Sequence, residues 1–256
     1  MKKPIVIVIA NQKGGAGKTT IAAAISQFLT THSSVVLIDI DPQGTASRIF
    51  LEVFNATVFD GLTGTLSLDQ AIVSALPQFP RWLKIIPSSP KLRDIDAMFA
   101  GRIDRFHCFE DAIAKIQGID FIIVDCPGTL NLLTIAPLVA ADYSILPVSC
   151  DPMCFDQIDS MKQTIEAIKL RLNPKLFTLP LVVTLFDGRN RLDTEVLAEI
   201  KARHETFEPI IRRRVKLKEE FAAQQPCTSK DLRELTNNIF ERISHEQKKI
   251  LSQRFT

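Results

Sequence analysis

A glycine-rich stretch with two lysines and two threonines follows the first apolar run, residues 5–10, and opens a run of helical character, residues 20–29. A glycine-rich turn between a strand and a helix points several backbone N–H groups into one concavity, and the helix N-terminus adds its partial positive charge. We therefore expect a site for nucleotide phosphates. Its residues are Lys13, Gly14, Gly15, Ala16, Gly17, Lys18, Thr19 and Thr20.

Lys18 and Thr19 are the two side chains of the loop that we expect to contact the phosphates and the metal. Lys18 would reach the β- and γ-phosphates, and the hydroxyl of Thr19 would hold Mg²⁺. The common phosphate-loop pattern, G-x-x-x-x-G-K-[ST], is not met, because the chain has Gln12 in place of the first glycine. A second lysine, Lys13, stands at the head of the loop instead, and the sequence K-G-G-x-G-K-T resembles the deviant Walker A motif of the ParA and MinD ATPases.

Two further segments place carboxylates directly after apolar runs. Asp39 and Asp41 follow residues 35–38 within D-I-D-P-Q-G, and their spacing puts both on one side of an extended chain. Next to a nucleotide, such a pair can serve the hydration of Mg²⁺ and the orientation of an attacking water. Asp125 ends the run of residues 121–124, which has the form of a Walker B strand whose Asp holds Mg²⁺ directly or through water.

Short apolar runs alternate with helical stretches along most of the chain. The predicted strands are residues 5–10, 35–40, 83–86, 121–124, 143–148 and 179–185, and the predicted helices are residues 20–29, 106–117, 156–172, 194–203 and 231–251. Continuous rather than alternating runs indicate strands covered on both faces. We predict an α/β fold, a doubly wound, mostly parallel sheet with helices on both faces, as one domain over residues 1–256. The loop and the three carboxylates fall at carboxyl ends of strands, where such sheets bind ligands.

Composition excludes several other classes of protein. With 46% hydrophobic and 23% charged residues the chain can bury a full core, and no stretch reaches the roughly 18 continuous apolar residues of a membrane span. The N-terminal apolar run leads directly into the phosphate loop, so cleavage as a signal peptide would destroy the site, and we expect a cytoplasmic protein. The five cysteines are scattered, and no second Cys or His pair completes a metal site with Cys150 and Cys154, so we expect buried thiols.

Taken together, these motifs resemble the ParA-type partition ATPases over nearly the whole chain. Besides the lysine-led loop, the chain carries D-x-D-P-Q-G, an Asp-x-Pro-Gly turn that begins at Asp125, and L-F-D-G-R at residues 185–189. Residues 210–219, I-I-R-R-R-V-K-L-K-E, resemble the family segment I-P-R-N-V-R-L-S-E. They depart from it with Arg212 for Pro, Arg214 for Asn and Lys216 for the last Arg.

The resemblance implies a P-loop ATPase that uses ATP and Mg²⁺ and hydrolyses slowly by itself. Lys18 would bind phosphates, and Asp41 would orient the hydrolytic water. Lys13 would reach across a homodimer to the partner's nucleotide, which couples ATP binding to dimerisation. The residues that the resemblance implies for Mg²⁺ are Thr19, Asp39 and Asp125.

Basic residues cluster in the C-terminal half, although the net charge is only +2. The denser cluster is Arg212, Arg213, Arg214, Lys216 and Lys218, and the smaller one is Arg189 and Arg191. Such clusters attract phosphate backbones without reading sequence, but they are also typical of an ordinary solvated surface. The resemblance implies that Arg189 and Lys216 bind non-specific DNA with help from Arg213. It also implies nucleoid association and a centromere-binding partner of the ParB type that stimulates hydrolysis.

Three alternatives remain open from the sequence. A positioning ATPase that carries a protein cargo over the nucleoid would use the same chemistry. A membrane-associated division-site regulator of the MinD type would use residues 235–255 as a membrane-surface helix. We expect the apolar residues of that stretch, Ile239, Phe240, Ile243, Ile250 and Leu251, to pack on the domain instead, and we expect no membrane partner. A metabolic reductase or synthetase of the same fold would need a paired-cysteine cluster site, which nothing in the context of Cys126 and Cys154 favours.

Overall fold

The computed structural model describes residues 3–253, and it describes side chains up to residue 249. The strands are β1 (Ile5–Ile9), β2 (Val35–Asp39), β3 (Val73–Ser74), β4 (Leu83–Ile86), β5 (Phe121–Asp125), β6 (Tyr143–Ile145), β7 (Pro147–Ser149), β8 (Phe177–Thr178) and β9 (Val182–Thr184). Seven of them form one sheet in the order β3-β4-β2-β5-β1-β6-β8, and β7 and β9 form a separate parallel pair. Within the described residues, the pairing of β3 with β4 is antiparallel and the other strand pairs are parallel.

Helices cover both faces of this sheet. They are α1 (Lys18–Leu29), α2 (Thr45–Phe50), α3 (Val58–Thr63), α4 (Ile95–Phe99), α5 (Cys108–Ile113), α6 (Leu132–Ala140), α7 (Cys154–Arg171), α8 (Arg191–Arg203), α9 (Val215–Ala222) and α10 (Lys230–Gln253). Helices α1, α2, α9 and α10 contribute to one apolar core, and α3 to α8 contribute to the other. The predicted doubly wound α/β fold is confirmed.

The central strand shows why its apolar run is continuous. Val6 and Val8 point into the core with α3 to α8, whereas Ile7 and Ile9 point into the core with α1 and α10. All four are fully buried. Alternate side chains of a strand lie on opposite faces, so a strand covered on both faces must be apolar at every position.

Several elements differ from the predicted ones. The predicted strand of residues 143–148 breaks into β6 and β7, and the predicted helix of residues 106–117 becomes a 3₁₀ turn followed by the short α5. The sequence does not predict helix α6, because nearly all of its residues are apolar and Pro137 is typical of a helix break. Helices α2 and α9, with six and eight residues, are too short for a clear period.

The register of the central strands brings the functional motifs together. Strand β5 lies between β1 and β2, and its last residue, Asp125, pairs with Ile9 on one side and with Asp39 on the other. The glycine-rich loop leaves the end of β1 at this same edge. Parallel pairing therefore sets two carboxylates of distant motifs beside the loop.

The C-terminal helix α10 packs on the domain along its apolar face. Leu235, Ile239 and Ile243 are at most 1% exposed and lie in the same core as α1. Phe240 is 40% exposed, and its ring meets that of Phe121 edge-on at 6.0 Å. The side chains of residues 250–253 and the whole of residues 254–256 lie outside the described part of the structure, so the expectation for Ile250 and Leu251 is untested. Among the described residues, no helix combines the length and the apolar character that a membrane span requires.

We predict that Ile239→Ala lowers the free energy of unfolding by about 2–5 kcal/mol, because it leaves a cavity between α10 and the sheet. Chemical denaturation monitored by circular dichroism would measure the change. Glu241→Ala, on the exposed side of the same helix, should change stability by no more than about 0.5 kcal/mol. Equal effects of the two substitutions would contradict the packing of α10 on the core.

Candidate nucleotide-binding site

The backbone of the glycine-rich loop requires glycine at two positions. Gly15 and Gly17 have φ angles of +79° and +84°, in the left-handed region that side chains with a Cβ rarely adopt. Gly17 stands directly before α1, and its carbonyl accepts the first helical hydrogen bond from the N–H of Ile21. The loop therefore turns sharply and leads directly into the N-terminus of the 12-residue helix α1.

The turn after β5 packs against the head of this loop. A Cβ on Gly128 would lie 3.2 Å from the backbone nitrogen of Gly14, so any larger residue would push the two segments apart. The last glycine of the D-C-P-G turn is thus explained by close approach of two backbones.

Two side chains outside the predicted site hold the backbone of the loop in place by hydrogen bonds. Asn11 donates through Nδ2 to the carbonyl of Pro147 at 2.6 Å, and its Oδ1 accepts the N–H of Lys13 at 3.2 Å. Thr184 donates through Oγ1 to the carbonyl of Ala16 at 2.8 Å. Both anchors are buried at strand ends. In the sequence, the one sign of their role is their position near the carboxyl ends of two predicted strands.

The two lysines of the loop point to different groups. Lys18 is 7% exposed, and its Nζ donates to the carbonyl of Lys13 at 2.8 Å. Burial lowers the pKa of Lys18, while the negative charge of Asp125 opposes this shift. Lys13 instead forms an ion pair with Asp151, just before α7, and both side chains remain about one-third exposed. Partial burial raises the pKa of Asp151, but the hydrogen bonds from Lys13 and Ser149 outweigh it, so the net shift is downward.

Asp125 is a buried carboxylate that lacks ordinary partners. Neither oxygen has a hydrogen bond within the described residues. Burial and the neighbouring charge of Asp39 raise its pKa well above the usual range, and the nearby Thr19 hydroxyl and Lys18 ammonium lower it less strongly. An unsatisfied buried carboxylate next to a threonine hydroxyl fits Mg²⁺, which prefers oxygen ligands and keeps several waters. No group of three His, Cys, Asp or Glu side chains among the described residues forms a metal cage, so phosphates and water would complete the shell.

The other two carboxylates differ from Asp125 and from each other. Asp39 is fully buried and accepts hydrogen bonds from the backbone N–H and the Oγ of Ser47, each at 2.7 Å. Burial raises the pKa of Asp39 to about 6. Hydrogen bonds thus already engage the carboxylate of Asp39, unlike that of Asp125, and the place of Asp39 in the Mg²⁺ shell stays a prediction. Asp41 is half-buried, and its Oδ1 accepts the N–H of Gln43 at 2.8 Å.

A cavity of about 390 Å³ opens above the loop, within the usual size range of small-molecule sites. Its lining consists of Gly14, Gly15, Gly17, Lys18, Thr19, Thr20, Asp41, Gln43, Thr45, Gly128, Leu185, Arg213 and Lys218. Most residues of the predicted phosphate site thus face one space together with Asp41. The structure also adds α9, which contributes Lys218.

The predicted DNA-binding residues separate in the structure. Arg213 lines the cavity described above, but Arg189 and Lys216 do not. The side chain of Arg189 is 91% exposed and pairs with Asp187, and that of Lys216 is 74% exposed and lies 3.6 Å from Glu220. All three residues are exposed, and Arg213 differs from the other two because it also lies beside the phosphate loop.

Comparison with known proteins identifies the family. A family model described as an AAA domain matches residues 4–178. The chromosome partitioning protein ParA of Myxococcus xanthus is 31% identical over 84% of this chain and 77% of its own length. The chromosome partitioning protein ParA of Caulobacter vibrioides is 30% identical over 94% of this chain and 92% of its own length. The chain belongs to the ParA family of partition ATPases. As a ParA-family ATPase, it uses ATP and Mg²⁺.

A solved structure of similar sequence supports the same site. A Mycobacterium smegmatis protein described as cobyrinic acid a,c-diamide synthase, with bound ADP and magnesium, is 29% identical to this chain. It superposes with a TM-score of 0.81 over 94% of this chain and 96% of that one.

The five cysteines of the ParA-family chain are all buried and free, as expected.

We predict that Asp125→Asn stabilises the nucleotide-free protein by about 1–3 kcal/mol near pH 7.5, because it removes a buried carboxylate that has no hydrogen bond. The folded pKa of Asp125 lies above its unfolded value, so ionisation destabilises the fold as pH rises. The gain should therefore grow as pH increases from about 4, the ordinary pKa of Asp.

Thermal unfolding across this pH range would measure the gain. Asp159→Asn, which removes an exposed carboxylate, controls for the change in net charge and should leave the melting temperature almost unchanged. In the presence of Mg²⁺ and ATP the order should reverse, because only the wild type gains stability from the bound metal and nucleotide. A wild type that is more stable than Asp125→Asn without ligand would contradict the prediction.

Proposed function

We propose that this ParA-family ATPase acts as a DNA-partitioning dimer. Two ATP-bound copies close face to face around two nucleotides, and the dimer binds DNA without sequence preference. A ParB-type centromere-binding partner stimulates hydrolysis, after which the copies separate and leave the DNA. The observation that carries this proposal is the placement of Lys13, whose partly exposed side chain points to Asp151 and not into the cavity of its own loop.

Each residue of the proposed site has a separate task. Lys18 and the loop N–H groups neutralise the phosphates, and Thr19 and Asp125 hold Mg²⁺, which supplies positive charge at the transferred phosphate. Asp41 faces the same cavity and orients the attacking water. Lys13 leaves Asp151 and contacts the partner's nucleotide, so phosphate charge is fully neutralised only when two copies meet. Intrinsic hydrolysis is therefore slow.

The surface cations supply the second activity. Arg189 and Lys216 each pair with a carboxylate of the same chain, and ion pairs of such exposed cations contribute little to stability. DNA phosphates can replace these carboxylates at small cost. Arg213 lies on the same segment as Lys216 but lines the nucleotide cavity, so that segment connects the nucleotide site with the proposed DNA site.

We predict that Lys13→Gln binds an ATP analogue with wild-type affinity but stays monomeric, because only the contact to the partner's nucleotide is lost. Asp151→Asn should still dimerise, because it frees Lys13 without removing its charge. Multi-angle light scattering with a non-hydrolysable analogue would measure the mass, and fluorescence titration would measure nucleotide affinity. A Lys13→Gln variant that dimerises like the wild type would refute the role of Lys13 in the dimer.

We predict that binding to non-specific duplex DNA requires ATP and weakens steeply with salt, because it depends on the release of counterions from phosphates. Lys216→Ala should weaken binding to all sequences and reduce the salt slope by about 1. Arg171→Ala provides a matched control, since it removes an exposed cation from α7, which packs on the opposite face of the sheet from α9. Fluorescence anisotropy with ATP, ADP or no nucleotide at two salt concentrations would test this. DNA binding that is absent in every nucleotide state would exclude the proposed mechanism.

A further inference from the structure

The backbone of Asp41 is held on both sides by buried groups. Its N–H donates to Oδ1 of Asp39 at 3.2 Å, and its carbonyl accepts the Oγ of Ser88 at 2.5 Å. Oδ1 of its side chain accepts the N–H of Gln43. The other carboxylate oxygen, Oδ2, has no hydrogen bond among the described residues. Backbone and side chain are thus held in place while one oxygen stays available at the cavity.

Ser47 connects the two groups that hold Asp41. Its backbone N–H and its Oγ both donate to Oδ2 of Asp39 at 2.7 Å, and the same Oγ accepts the backbone N–H of Ser88 at 2.9 Å. The hydrogen bonds form a closed ring from Asp39 to Ser47, Ser88, Asp41 and back to Asp39. We call these four residues the Asp41 ring.

Three elements meet in the Asp41 ring. Asp39 ends β2, Ser47 lies in the first turn of α2, and Ser88 follows β4. These three residues are at most 4% exposed, whereas Asp41 is half-buried and is the one member that lines the nucleotide cavity. The ring thus reaches the lining of the cavity through Asp41. Gly44, which precedes α2, offers no side-chain cap, and Asp39 satisfies a helix N–H from outside the helix.

We infer that Asp39, Ser47 and Ser88 are positioning residues for ATP hydrolysis, which hold Asp41 where it orients the attacking water. This inference rests on the proposed role of Asp41. It assigns Asp39 a task different from that of Asp125. Two donors already fill Oδ2 of Asp39, whereas both oxygens of Asp125 lack partners. Small displacements of a water-orienting group cost turnover without affecting nucleotide binding.

Substitution of Ser88 gives the most direct test. Ser88→Ala removes the hydrogen bond to the Asp41 carbonyl and leaves the backbone bond to Ser47. We expect kcat to fall about three- to tenfold, the rate equivalent of one hydrogen bond, with unchanged KM for ATP and unchanged nucleotide affinity. Ser88→Thr retains the hydroxyl and should restore much of the turnover.

Ser89→Ala is the matched control, because Ser89 is also buried but its Oγ accepts the N–H of Lys91 and does not contact Asp41. Phosphate release by the purified wild type and variants, with saturating ATP and Mg²⁺, gives kcat. Equal loss of turnover in Ser88→Ala and Ser89→Ala, or a loss that appears only in KM, would show a merely structural effect and overturn the inference.

Asp39→Asn separates positioning from metal binding. We expect reduced turnover that excess Mg²⁺ does not recover, with half-maximal turnover at the same Mg²⁺ concentration as in the wild type. Recovery at high Mg²⁺ would place Asp39 in the metal shell and overturn its role in positioning. If Asp39→Asn does not fold, the comparison of Ser88→Ala with Ser89→Ala still decides the inference.

Asp41→Ala distinguishes failure of this inference from failure of the proposed function. Wild-type turnover by Asp41→Ala would refute the role of Asp41 itself. An inactive Asp41→Ala together with wild-type turnover by Ser88→Ala and Ser47→Ala would refute only the positioning role of the ring.

Discussion

The register between β2 and β5 is the constraint on which the site depends. It sets Asp39 and Asp125 side by side at the ends of neighbouring parallel strands, where both carboxylates are fully buried. Burial and the neighbouring charge of Asp39 raise the pKa of Asp125, because two negative charges close together disfavour each other. Asp39 has its hydrogen bonds within the protein, and Asp125 is left with a demand that a cation next to the nucleotide would meet.

The phosphate loop supplies positive charge next to these two carboxylates. Its backbone conformation depends on glycines with positive φ, and it presents a helix N-terminus and the buried Lys18 next to Asp125. Phosphates and Mg²⁺ therefore enter a site that already holds both signs of charge. Mg²⁺ bound with the nucleotide would offset the cost of burying the Asp125 carboxylate without hydrogen bonds.

The two lysines of the loop make different contacts because their side chains lie in different places. Lys18 is buried in its own loop, whereas Lys13 lies at the loop head and pairs with Asp151 on a partly exposed surface. The α9 segment has a comparable arrangement, because Arg213 faces the nucleotide cavity while Lys216 faces solvent. Both arrangements place one basic side chain at the loop or its cavity and another at the surface only a few residues away.

Local sequence patterns predicted the fold class, the phosphate loop and the acidic residues that the structure places near it. Continuous apolar runs specify strands buried on both faces, and closely spaced glycines permit the left-handed backbone of the loop. Only the tertiary structure revealed the anchors Asn11 and Thr184 and the Asp41 ring through Ser47 and Ser88. Single hydroxyls and amides carry no pattern, and their partners lie on strands and helices far away in the chain. The fold likewise decided that Asp39 and Asp125 differ, since identical side chains acquire different roles only from the donors that surround them.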